Sequence, residues 1–283
     1  MPPPATIVVD ELRDGSLRVG DINRLNRLVG IARPGQTVLI ESGDYRGTLE
    51  VHAGITLRPD DGPVRIWSTV GPAVRVHGCG ATLDGLELVS RNGDAVVIQS
   101  TDVRRTGPSP SEPVVRLEAC TVDGGRAGVV MGTARVRLDV IGGQLSANGG
   151  PAISLPDNGT ARLADVVVES RGDDGIHGGD GVRLGLDGVT ITHCARAGIR
   201  LGARAAIWGD ARPSTILDNI GTGVVVGADA KGDLRGARIS GNGGYAIVDP
   251  SRGITLTGAD LSGITRGERS TGAAPPGSPA SGR

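Results

Sequence analysis

Apolar positions along this chain recur in short blocks of the form small–aliphatic–x–aliphatic. The blocks read Ala73-Val-Arg-Val, Ala95-Val-Val-Ile, Gly128-Val-Val-Met and Ala152-Ile-Ser-Leu, then Gly175-Ile-His-Gly, Gly198-Ile-Arg-Leu, Gly223-Val-Val-Val and Ala246-Ile-Val-Asp. Successive blocks begin 22, 33, 24, 23, 23, 25 and 23 residues apart. Such a period marks a repeat architecture, in which each unit buries its apolar face only by stacking on its neighbours. A second apolar segment follows each block, such as Val136-Arg-Leu-Asp-Val or Val182-Arg-Leu-Gly-Leu, and then a third, such as Val166-Val-Val or Val189-Thr-Ile. Three short strands per unit predict an all-β fold, a single-stranded right-handed parallel β-helix with three sheets. Roughly nine coils at about 4.8 Å each make a rod about 45 Å long.

The start of the chain has a different pattern. Thr6-Ile-Val-Val is β-branched and reads as a strand. Ile22, Leu25, Leu28, Val29 and Ala32 then fall at helical spacing, with Asp21 before them and Pro34-Gly35 after. This predicts one amphipathic helix over about 21–33, followed by a strand at Gln36-Thr-Val-Leu-Ile-Glu. A stack of coils leaves its first apolar layer open, and the helix is the natural cover for it.

The β-helix with its cap is expected to occupy residues 1–264. The remaining 265–283 segment, rich in Pro, Gly and Ser, has no means of building a core and reads as disordered. Asn92-Gly93, Asn148-Gly149, Asn242-Gly243 and Asn219 precede the blocks, where a corner with left-handed backbone is expected. Stacked Asn side chains can also bond along the column. One unit is longer by about ten residues, between Asp102 and Pro113, and solenoid insertions emerge as loops on one face.

Composition narrows the function. The formal charge is −1 and Lys231 is the only lysine, so no global field draws in nucleic acid or acidic lipid. There is no Phe, so the core must be aliphatic. Cys79, Cys120 and Cys194 have neither a metal-ligand spacing nor a disulfide framework and read as buried thiols in a reducing compartment. His193 beside Cys194 is a weak metal signal, and no metal or cofactor is expected. No membrane-spanning stretch or secretion signal is visible, so the expected location is cytoplasmic.

Residues Asp21 to Tyr45 resemble the opening of the pectin-lyase-like β-helix superfamily, where a helix, a Pro-Gly turn, a strand and a Gly-x-Tyr corner precede the coils. The repeats resemble carbohydrate-binding and sugar-hydrolase β-helix modules, including those of actinobacterial proteins. The resemblance implies the β-helix fold over roughly 6–264 and leaves the activity open, because this fold hosts lyases, hydrolases, epimerases, esterases and non-catalytic binders.

Alternation along the blocks points Ile176, Ile199 and Val224 inward. The outward column is then Arg75, Val97, Val130, Ser154, His177, Arg200, Val225 and Val248. Its middle is the candidate catalytic site, with Asp173, Asp174, His177 and Arg200 supplying acid, base and anion clamp; Asp180 and Ser154 lie nearby in the pattern. Gly172-Asp-Asp resembles the paired-aspartate motif of polygalacturonase-type glycosidases, which implies a carboxylate acid/base role for Asp173 and Asp174. The following coil reads Ala197-Gly-Ile-Arg where that family has Gly-His-Gly, and its Asn-Thr-Asp and Arg-Ile-Lys motifs are missing. A lyase or epimerase would use His177 as base and Arg200 or Arg75 as the cation. Against sugar processing, Tyr45, Trp67, Trp208 and Tyr245 are the only aromatics outside histidine. The leading expectation is therefore a non-catalytic recognition or scaffold module. It would bind a protein or glycan partner through Arg75, Ser154, Asp180 and the aliphatic stripe Val97, Val130, Val225 and Val248. Association of copies through the same sheet is a further expectation, and the alternative is a carbohydrate-active enzyme.

Overall fold

A computed structural model describes residues 6–8, 21–78, 80–99, 113–261 and 269–270. Three parallel sheets of ten, eleven and nine strands wrap a shared interior as a β-helix. One coil shows the plan. Ile176–Gly178 lies in the first, ten-stranded sheet, Arg183–Asp187 in the second and Thr190–Thr192 in the third; the chain then returns to the first sheet at Ile199–Leu201. Each strand pairs with its equivalents one coil before and after, so Ile176 faces Ile199, Arg183 faces Ala206 and Thr190 faces Thr215.

Alternation makes the interior. In the strands of the first sheet the odd positions are buried and the even ones are not, as in Val74–His77 and Val224–Val226. Ile176, Ile199 and Val224 are fully buried and in vertical register, as the pattern predicts. The core is one continuous column, mostly of Val, Ile, Leu and Ala with Tyr45, Met131, Cys120 and Cys194 among them, running the length of the stack. The helix is Ile22–Ile31, with the Asp21 carboxylate accepting from the Asn23 N–H at its start. Leu25, Leu28 and Val29 are buried in it. The Asn26 side chain ties the helix to the first sheet: its amide donates to the Thr48 carbonyl at 2.9 Å and its oxygen accepts from the Glu50 N–H at 2.8 Å.

The corners differ from the expectation. Left-handed backbone does occur, but none of Asn92, Asn148, Asn219 and Asn242 has positive φ. Between the second and third sheets it falls on Gly85, Ala119, Gly142, Asp165 and Gly188 in five successive coils, with φ from 49° to 69°. Between the third and first sheets it falls on His193, Asp218 and Gly241, each one residue before the column Cys194, Asn219, Asn242. The asparagines act through their side chains. The Asn219 amide donates to Asn242 Oδ1 at 2.8 Å, and Asn219 Oδ1 accepts from the Cys194 N–H at 2.9 Å. Both are buried, so the ladder satisfies backbone groups that water does not reach.

Cys120 and Cys194 are buried and free, and burial pushes their thiols up to about 11 and about 12. Cys79 and the insertion, apart from Pro113, lie outside the described residues. Of the 265–283 segment, Arg269–Ser270 adds a strand beside Ile247–Val248, and the rest lies outside them. Trp67, on the third sheet, has the Arg46 and Arg91 guanidiniums 5.2 and 5.1 Å from its ring centre. Trp208, on the second sheet near the other end, lies against Gly185. Among the described residues, no helix is long and apolar enough to cross a membrane.

Candidate functional site

The outward column of the first sheet forms as its alternation dictates. Strand pairing places Glu50 beside Arg75, and then Val97, Val130, Ser154, His177, Arg200, Val225 and Val248, one residue per coil. The four valines are half-buried, since each is flanked by its neighbours in the column. Glu50, which the block pattern does not reach, is the column's first member.

Asp174, His177 and Arg200 converge. Asp174 stands just before its strand, and its side chain is only 1 % exposed. One carboxylate oxygen accepts from His177 Nδ1 at 3.0 Å and from Arg200 Nε at 2.9 Å. The other accepts from the Ala197 N–H, directly above on the next coil, at 2.9 Å. Burial works against the Asp174 charge, but these donors outweigh it and hold the carboxyl below its ordinary value. The same hydrogen bond favours the imidazolium and raises the pKa of His177. His177 and Arg200 are 47 % and 40 % exposed, so the buried carboxylate anchors an imidazole and a guanidinium that reach solvent.

The other predicted site residues lie elsewhere. Asp173 faces Arg196, with 3.4 Å between the charged atoms, and its N–H donates to Ser170 Oγ; the two adjacent carboxylates thus have different partners. Asp180 occupies the next corner, where it accepts from the Ala203 N–H at 2.8 Å. Ser154 is next to His177 in the column. Arg75 lies four strands from His177, about 19 Å at ordinary strand spacing, and donates to Glu50 at 2.6 Å. His193 is exposed while Cys194 is buried, so that pair does not converge.

Two groupings escape the sequence pattern. Asp94, at the position before its strand that Asp174 holds in a later coil, accepts from Arg126 Nε at 2.7 Å and from the Ala127 N–H at 3.2 Å. Glu50, His52 and His77 meet at the helix end of the first sheet. There His77 Nε2 lies 2.6 Å from Glu50, and the two imidazole rings stack 4.1 Å apart. The signal was the motif Glu-Val-His at 50–52, repeated as Arg-Val-His at 75–77, one coil later.

No protein-family profile matches the sequence, and no curated protein matches it significantly. Among solved structures, the crystal structure of the Dettilon tailspike protein (gp208) is similar at 10 % identity and a TM-score of 0.38, over 91 % of this chain and 67 % of that one.

Proposed function

We propose that this chain is a recognition scaffold that presents its first sheet to a protein or glycan partner. The observation that carries this reading is the closed state of the Asp174 carboxylate. Both of its oxygens accept from protein donors and the group is 1 % exposed, so it has no surface to offer a substrate. What reaches solvent is a continuous column, aliphatic on both sides of a Ser154–His177–Arg200 centre, on a parallel sheet. None of the four tryptophans and tyrosines is a member of that column, which fits side-on contact better than pyranose stacking. Association of copies would use the same stripe. The helix, the turn at Gly35 and the Gly43–Arg46 strand support placing the chain in the pectin-lyase-like superfamily. The two buried free thiols support a reducing, cytoplasmic location.

One observation favours a second reading, a uronate lyase or epimerase. His177 donates from Nδ1 to a buried carboxylate, which directs Nε2 away from it, with the Arg200 guanidinium alongside. The two readings separate in one set of assays. A glycan array and a light-scattering measurement of self-association are run on the wild type and on Val225→Asp, with uronate polymers assayed for cleavage or C5 inversion. The scaffold reading expects binding or association that Val225→Asp abolishes without loss of fold. Turnover that disappears in His177→Ala would overturn it in favour of the enzyme.

A further inference from the structure

We propose that Glu50, His52 and His77 form a binding site for one divalent transition-metal ion of the zinc class, at the helix end of the first sheet. The inference is independent of the recognition reading and uses residues outside the Asp174 cluster.

Register brings the donors together. Glu50 pairs with Arg75 and Val51 with Val76, so His52 and His77 follow at equivalent positions on consecutive coils. Their rings lie 4.1 Å apart and within 11° of parallel. Taking one donor atom from each of Glu50, His52 and His77, all three lie within 4.8 Å of one another. Tetrahedral zinc with bonds of about 2.0–2.2 Å sets neighbouring donors about 3.3 Å apart. The His77–Glu50 pair, now at 2.6 Å, must therefore open by about 0.7 Å. The exposed His52 side chain must tilt inward, and solvent exposure leaves it room to do so.

The chemistry matches the geometry. Two imidazoles and a carboxylate favour zinc, cobalt, nickel or copper over calcium and magnesium. The ion takes the place of the proton shared by His77 Nε2 and Glu50, and that proton leaves to solvent or moves to Nδ1. Glu50 is held from outside, as ligating carboxylates usually are. Arg75 donates to its second oxygen at 2.6 Å, and Asn26 of the capping helix accepts from its backbone N–H. The Arg75 charge opposes the ion and limits affinity. Three protein donors leave a fourth position open to solvent, where water or an oxygen or nitrogen ligand binds.

The test is zinc titration by calorimetry, and cobalt titration followed by visible absorption, on the full chain. The wild type is expected to bind one ion, with tetrahedral cobalt absorption. His52→Ala, His77→Ala and Glu50→Gln should each weaken binding roughly tenfold or more, and His193→Ala should leave it unchanged. Zinc should raise the melting temperature of the wild type and not that of His52→Ala. Because His52 is exposed, its removal does not threaten the fold, and circular dichroism verifies the other variants. Absence of saturable binding in the wild type would overturn the proposal. So would binding that survives both histidine substitutions, or binding that depends on His193.

Discussion

Asp174 carries a charge almost out of reach of water, and three donors make that tolerable. Replacing it with alanine leaves the Ala197 N–H buried and unpaired, while Arg200 and His177 can turn to solvent. The expected loss is therefore about 1–3 kcal/mol, less than for a fully enclosed ion pair, measured by urea unfolding. The pH dependence has two limbs. The Asp174 carboxyl is held below its ordinary 3.8, so its contribution is complete above that value and is lost as the pH falls through the lower folded value. The His177 imidazole is held above its ordinary 6.5, so its contribution is complete below 6.5 and is lost as the pH rises through the raised value. Asp174→Ala should flatten both limbs of the stability–pH curve. Asp94 performs the same service for the Ala127 N–H, so this residue position is first a structural device. The sequence shows two adjacent aspartates at 173 and 174; it does not show that one turns to Arg196 while the other is sealed beneath His177, because both sit at a corner where strand alternation no longer dictates direction.

At the scale of strands and corners, alternation made the inward triple Ile176, Ile199, Val224 and the outward column readable without coordinates. The corners were less readable, because several residue types tolerate a left-handed turn and a neighbouring coil decides which is used. Ala119 is the exception in a corner column that otherwise holds Gly and Asp, with φ of 49°. Relief of that strain by Ala119→Gly should exceed the added flexibility of the unfolded chain, for a net gain of about 0.5–1 kcal/mol, read as a higher melting temperature. Gly175 shows the opposite constraint. A Cβ there would stand 2.6 Å from the Gly198 carbonyl oxygen and 2.8 Å from Cys194 Sγ. Gly175→Ala should cost about 1–3 kcal/mol, since coils cannot spread locally. The Glu50–His52–His77 grouping was missed for an equally local reason. Thr48 stands where later coils carry Ala or Gly, so the small-residue signature of the repeat starts one coil late.

Over the whole molecule, every strand of the three sheets pairs only with the coils on either side of it. Stability is then a sum of neighbour terms along one axis, and damage stays near its source. Truncating Ile199, fully buried in mid-stack, to alanine should cost about 2–5 kcal/mol without moving the helix end, as amide exchange can verify. The overall architecture was legible because a single period governs the chain from residue 73 onward. The role of the outward face was not, since the repeat is indifferent to what points away from it.

Trp67 and Trp208 are the two tryptophans of this chain, placed near opposite ends of the stack. They amount to a built-in pair of optical reporters. With Trp208→Phe the emission follows only the region beneath the helix, where two guanidiniums border the indole; with Trp67→Phe it follows only the far coils. Long arrays lose all-or-none behaviour, so the two denaturation midpoints should differ. Coincident midpoints would mean that the rod melts as one body.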